Sequence, residues 1–235
     1  MTIFVSEFIG TAVLITLGDG VVANVILHKT KGNSGGLIAI TFGWAIAVFA
    51  GVLITAKDSG AHLNPAVTLA LACMHKLQWN LVPVYITAQL LGAMTGALLV
   101  WISYKQHFDE TTDASLKLGV FCTAPSIRNA AHNFITECIG TFIFILTVLY
   151  IVPPSNSLGA LDALPVALVV LGIGLSLGGP TGYAINPVRD LGPRIVHALL
   201  PIKDKRDSDW QYSWIPVVAP ILGALAAAYL YLWMN

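Results

Sequence analysis

Apolar residues in this chain run in long blocks divided by short polar connectors. Six blocks, at about residues 3–27, 36–56, 81–104, 133–152, 164–179 and 213–234, reach or approach the roughly 20 residues that a helix needs to cross a bilayer. Two shorter apolar blocks, at about 65–75 and 187–199, each open on an Asn-Pro pair, Asn64-Pro65 and Asn186-Pro187. Asn caps a helix N-terminus and Pro suits the first helical position, so each pair predicts a helix start. These helices are too short to span and read as half-helices. Non-helical backbone at membrane depth is tolerated only where it is buried in protein or lines a wet cavity, so the two pairs point to a pore. Polar connectors fall at about 28–35, 75–80, 105–133, 153–162 and 201–212.

The pattern repeats. Ser59-Gly60-Ala61-His62-Leu63-Asn64-Pro65-Ala66 matches Thr181-Gly182-Tyr183-Ala184-Ile185-Asn186-Pro187-Val188. Glu7-Phe8-Ile9-Gly10-Thr11 recurs as Glu137-Cys138-Ile139-Gly140-Thr141, and Gln89-Leu90-Leu91-Gly92-Ala93 as Pro220-Ile221-Leu222-Gly223-Ala224. Each repeat, about 3–104 and 133–234 around a linking loop at 105–132, is helix, helix, half-helix, helix. Three crossings are an odd number, so the second repeat is inverted. Inverted repeats place equivalent elements on opposite sides of a midplane. The two half-helices then enter from opposite faces and meet by their N-termini. The whole chain is thus expected to be one all-α membrane domain of six transmembrane helices and two re-entrant half-helices.

Composition agrees: 56% of the 235 residues are hydrophobic and 10% charged, against about a quarter charged in soluble domains. Formal net charge is zero, so nothing argues for nucleic acid. The three cysteines lie in separate segments, which argues against a disulfide framework. The stretch Ile3 to Leu27 is too long for the apolar part of a signal peptide and has no basic leader, so it reads as the first spanning helix. Lys29, Lys31, Lys105, Lys117, Arg128, Lys203, Lys205 and Arg206 fall on one face of this arrangement, Lys57 and Lys76 near the other. Loop charge alone would make the basic face cytoplasmic and put both termini outside.

Facing helix N-termini concentrate partial positive charge at the pore centre. The Asn64 and Asn186 side chains can donate to a passing oxygen. Such a midplane favours neutral, hydroxyl-bearing solutes and repels protons and cations. Arg189 lies two residues beyond Pro187. An arginine at membrane depth is a functional candidate by default, and its forked donors suit solute hydroxyls. Asp190 and Arg194 read as a structural pair. Glu7 and Glu137 sit inside helices at equivalent positions and read as acceptors for free N–H groups of the backbone entering each half-helix; a proton relay is the other role open to them. His62 offers a ring or a carbonyl to the pore, or is a satisfied buried histidine. Asp19 has no repeat partner and no role assigned by pattern.

These motifs, taken over essentially the whole chain, resemble the major intrinsic proteins, the aquaporin and glycerol-facilitator family. The first Asn-Pro frame, Asp190 after Arg189, Pro216 in the last helix and the segment Gly119-Val120-Phe121-Cys122-Thr123-Ala124-Pro125 are similar to its bacterial glycerol facilitators. The resemblance implies a homotetramer with one pore per subunit, in the cell membrane with cytoplasmic termini; on orientation it is preferred to the loop charges. It implies a selectivity filter at Trp44, Gly174, Tyr183 and Arg189, and a midplane at Asn64, Asn186, Ala66 and Val188. Pore-lining backbone would come from Gly60, Ala61, His62, Leu63, Gly182, Tyr183 and Ala184. Gly174, where water-selective members carry His, would leave a wider opening suited to a polyol. Val188 replaces the usual Ala and would narrow or dry the midplane. Tyr183 replaces the usual Phe and would make the filter smaller and more polar.

The expected function is passive conduction of glycerol, water and similar neutral solutes, such as dihydroxyacetone, urea, hydrogen peroxide or undissociated lactic acid. A water-selective channel is the alternative. A proton-coupled secondary transporter also stands, since inverted repeats and broken helices occur there too and Glu7, Glu137 and Asp19 could couple to protons. No Ser-His-Asp set, metal cluster or phosphate loop is apparent, so neither catalytic residues, a metal nor a cofactor is expected.

Overall fold

The structure is a computed structural model, which describes residues 1–151, 157 and 159–235. Among these residues the regular elements are all helical. They run α1 (Ile3–Ile26), α2 (Gly36–Ser59), α3 (Pro65–Cys73), α4 (Val82–Glu110), α5 (Ala114–Phe121), α6 (Ala130–Leu149), α7 (Leu164–Thr181), α8 (Pro187–Leu199) and α9 (Trp214–Met234), with 3-10 turns at Trp79–Leu81 and Gly159–Ala163. Among the described residues six helices are long and apolar enough to cross a membrane: α1, α2, α4 with its leading turn, α6, α7 with its leading turn, and α9. They correspond to the six long apolar blocks, and α3 and α8 to the two short ones.

The packing repeats as the sequence does. In the first half α1 packs against α2 and α4, and α3 against α4; in the second, α6 packs against α7 and α9, and α8 against α9. The halves join through α2 with α7 and through the crossed pairs α3 with α9 and α4 with α8. The repeated glycines explain how closely the long helices approach. A Cβ on Gly92 would lie 2.4 Å from the Phe8 carbonyl oxygen, and one on Gly223 2.4 Å from that of Cys138. With lipid as apolar as leucine, helices in membranes associate through such small-residue contacts.

Two boundaries depart from the apolar pattern. Helix α4 runs to Glu110, beyond the expected end near 104, because Lys105 pairs with Asp109 one turn on, at 2.5 Å, and Thr111 closes the helix. The linking loop contains a helix, α5, capped by Asp113, whose side chain accepts from Ser115 N at 2.7 Å. Residue 152 at the end of the 133–152 block, and residues 153–156 and 158 of the 153–162 connector, lie outside the described residues.

Candidate functional site

The site is built where the two half-helices meet. Asn64 and Asn186 are N-caps in extended conformation, each followed by Pro at the helix start. The Asn64 Oδ1 accepts from Ala66 N at 2.9 Å, and the Asn186 Oδ1 from Val188 N at 3.2 Å. Their amides cross over: Asn64 Nδ2 donates to the Ile185 carbonyl at 2.9 Å, and Asn186 Nδ2 to the Leu63 carbonyl at 2.8 Å. Each cap thus clamps the opposite loop, which fixes the two half-helices N-terminus to N-terminus. An amide NH2 has two hydrogens, so one remains on each side chain. Both asparagines line the central cavity.

The loops that lead in have equivalent unusual backbones. Gly60, Ala61 and Leu63 have φ of 79°, 50° and 50°, and Gly182, Tyr183 and Ile185 of 82°, 39° and 43°. Non-glycine residues at positive φ are strained and persist where surroundings over-determine them. A buried carboxylate does this in each half. Glu7 accepts from Ser59 Oγ (2.6 Å), His62 N (3.0 Å), Leu63 N (2.7 Å) and Gln89 Nε2 (2.8 Å). Glu137 accepts from Thr181 Oγ1 (2.6 Å), Ala184 N (3.0 Å) and Ile185 N (3.1 Å). The fourth donor has no counterpart in the second half because Pro220 stands where the first repeat has Gln89. With the N–H groups turned to the carboxylates, no donor among the described residues reaches the carbonyl oxygens of Gly60, Ala61, His62, Gly182, Tyr183 or Ala184.

Arg189, Trp44 and Tyr183 line the same cavity. The Arg189 guanidinium carbon lies 4.1 Å from the Trp44 ring centroid, within cation–π range. Both aromatic rings rest on glycines. A Cβ on Gly18 would come within 2.3 Å of the Trp44 ring, and one on Gly178 within 2.7 Å of the Tyr183 ring. Gly174 is buried rather than open to the lumen: Thr41 and the Tyr183 ring cover it, at 2.4 and 3.0 Å from where its Cβ would be. The opening expected from the missing side chain is therefore filled by its neighbours. Ala66 is fully buried, Val188 is 3% exposed, and neither lines the cavity. Nor does Gly182, whose positive φ serves the turn out of α7.

The cavity holds about 170 Å³, room for on the order of ten waters. Leu14, Val48, Val52, Val67, Leu71, Phe144, Val148, Val166 and Val170 form an apolar wall. Residues 60–64 and 183–186, with Arg189, supply the polar side. His62 is on this wall, its Nδ1 3.1 Å from Thr68 Oγ1 and its ring stacked on Tyr85 at 4.3 Å.

Behind the site, Arg194 donates Nε to Asp190 Oδ1 (2.7 Å) and Nη2 to its Oδ2 (3.0 Å). It also reaches the carbonyls of Ser208 (2.6 Å), Asp209 (3.0 Å) and Thr123 (3.2 Å). Asp190 accepts from Thr123 N and Oγ1 at 2.8 and 2.7 Å. This pair staples the loops after α5 and α8 to the half-helix that carries Arg189.

Three residues packed beside Trp44, Tyr183 and Arg189 were not assigned to the pore from sequence: Gly18, Asp19 and Thr41. The signal for the first two was present as Gly18-Asp19-Gly20, a charge and two glycines inside an apolar helix. Thr41 had none, since its position depends on α2 packing against α7. Among the described residues no cluster of His, Cys, Asp or Glu is placed to hold a metal, and the three cysteines are free.

A continuous cavity between two end-to-end half-helices, inside six spanning helices, defines a membrane channel protein rather than a soluble domain. The Major intrinsic protein family profile matches residues 1–231, and the chain belongs to that family. A probable glycerol uptake facilitator protein of Thermotoga maritima is 52% identical over 235 residues, all of both chains. The D/L-lactic acid transporter of Lactiplantibacillus plantarum is 42% identical over 96% of this chain and 94% of its own. Among solved structures, the X-ray structure of the aquaglyceroporin from Plasmodium falciparum superposes with a TM-score of 0.86 at 38% identity, covering 97% of this chain and 93% of that one. This is a multi-pass membrane protein.

Proposed function

We propose that this protein is a passive channel for glycerol and other small neutral solutes, with water, that excludes ions and protons. The observation that carries this reading is the mixed lining of the lumen. Residues with free carbonyls, two asparagines and an arginine share the cavity with a set of apolar side chains. A polyol has a hydroxyl side and a CH side, and this lumen offers hydrogen bonds to one and contact to the other. Relatives named for glycerol uptake and for lactic acid support the same solute class, which extends to dihydroxyacetone, urea, hydrogen peroxide and undissociated lactic acid.

In this reading Trp44, Tyr183 and Arg189 form the selectivity filter, and Gly174 acts through the seat that it gives Tyr183. Asn64 and Asn186 form the midplane, backed by Ala66 and Val188. The free carbonyls of 60–62, 183 and 184 serve solute hydroxyls, the Leu63 carbonyl and the Gly182 turn hold the loops in shape, and Glu7, Glu137 and Asp190 support those loops. Transport involves no covalent chemistry. The chain acts as one channel domain of two inverted repeats, assembled as a homotetramer in the cell membrane with both termini in the cytoplasm.

Osmotic response of proteoliposomes tests the proposal. Vesicles carrying the protein shrink in a glycerol gradient and reswell as glycerol enters. Shrinkage without faster reswelling leaves a water channel. Uptake that saturates and collapses with the proton gradient identifies a coupled transporter.

A further inference from the structure

The Arg189 guanidinium has a second neighbour besides Trp44. Asp19, on α1, is fully buried, and its Oδ1 lies 3.7 Å from Arg189 Nη1. Neither Asp19 oxygen has a hydrogen-bond donor among the described residues, and Arg189 Nη1 is likewise buried without an acceptor. The carboxylate next to Arg189 in the chain, Asp190, is engaged by Arg194 and Thr123. The preceding residue, Gly18, seats the Trp44 ring. One turn of α1 therefore backs both filter side chains: one residue carries the ring, the next faces the cation.

A carboxylate without partners in an apolar interior is strongly unfavourable, and here the compensating charge is the filter arginine. We propose that Asp19 is a specificity-determining positioning residue: it holds the Arg189 guanidinium against Trp44 and cancels its charge, so that the constriction is a near-neutral donor surface rather than a cationic one. An unopposed guanidinium attracts anions and binds them bidentately. With Asp19 behind it, the same donors serve neutral hydroxyls, and the anionic forms of small acids gain nothing on entry. The inference rests on the channel reading above, but not on glycerol being the solute.

The test compares wild type, Asp19→Asn, Arg189→Gln and the double variant in proteoliposomes, reading water, glycerol, nitrate and potassium permeability. Asp19→Asn keeps side-chain size and exposes the arginine charge. It raises nitrate permeability about tenfold or more and lowers the glycerol-to-water ratio. Arg189→Gln leaves Asp19 uncompensated and raises potassium permeability. Adding Asp19→Asn to Arg189→Gln removes both leaks, because no net charge remains. Unchanged nitrate permeability in Asp19→Asn, or a potassium leak in Arg189→Gln that persists in the double variant, overturns the proposal. If Asp19→Asn alone does not assemble, the comparison of Arg189→Gln with the double variant decides by itself. Wild type that passes water but not glycerol, with the ion leaks behaving as stated, refutes the glycerol reading and leaves the role of Asp19 standing.

Discussion

The seat under Tyr183 permits a graded perturbation. In Gly174→Ala the new Cβ would lie 2.4 Å from Thr41 Cγ2, 3.2 Å from Thr41 Oγ1 and 3.0 Å from Tyr183 Cζ. Carbon atoms rest at about 3.5–4.0 Å, so the neighbours must yield by roughly 1–1.5 Å. Thr41 resists rotation, because its Oγ1 donates to the Leu37 carbonyl at 2.8 Å and a β-branched side chain in a helix has few open χ1 wells. Tyr183 is held from behind by Gly178 and by its own backbone at φ 39°. The direction open to its ring is the lumen that it already lines. Overpacking costs about 1–3 kcal/mol. If that energy must be recovered each time a glycerol squeezes past, conduction falls roughly 5- to 150-fold, at tenfold per about 1.4 kcal/mol. Water, the smaller solute, is slowed only a few-fold. Stopped-flow light scattering with sucrose and glycerol gradients measures both rates on one preparation. Gly174→Ala with Thr41→Ser removes the Cγ2 contact and recovers part of the glycerol flux. Equal loss of water and glycerol, or no loss of either, would refute the claim that Gly174 sets the position of Tyr183.

Further outcomes follow from the same geometry. Val188→Ala removes two buried methyl-sized groups off the lumen, so it lowers thermal stability by about 1.5 kcal/mol and leaves water permeability unchanged; faster water flow would show that Val188 narrows the midplane after all. Glu137→Gln turns an NH2 toward the N–H groups of Ala184 or Ile185, costs about 1–3 kcal/mol, and lowers glycerol flux with the melting temperature; wild-type values of both would remove Glu137 from loop support. Arg194→Lys keeps the charge but loses the fork that joins Asp190 to three carbonyls. It therefore destabilises the protein by about 2 kcal/mol or more, read by unfolding in detergent, and unchanged stability would mean that the staple is redundant.

The resemblance implies Gly174 and Val188 in the conducting path, and neither is among the residues that line the cavity. The reason is local. A glycine leaves a gap only if no neighbour enters it, and Thr41 and Tyr183 do. A residue just past an N-cap faces the lumen or turns from it according to the helix's rotation, and Val188 is not among the residues that line the cavity. Asp19 was visible as an oddity without a role, because its meaning depends on Arg189, 170 positions away along the chain.

The sequence by itself determined the architecture. Apolar block length sets the six crossings, Asn-Pro sets the half-helix starts, and three crossings per repeat force the inversion. These are one-dimensional facts, since span length, capping and parity are properties of a continuous segment. It also marked Glu7 and Glu137, because a carboxylate in an apolar helix needs donors, and the only free ones lie in the loops. Tertiary structure alone decided which faces meet: that Asn64 and Asn186 clamp each other's loops, that Trp44 and Tyr183 lean on glycines, and that Arg189 stands between a ring and a carboxylate. Those outcomes depend on distances of a few ångströms between helices far apart in the chain. Side-chain packing fixes them, and no local pattern records them.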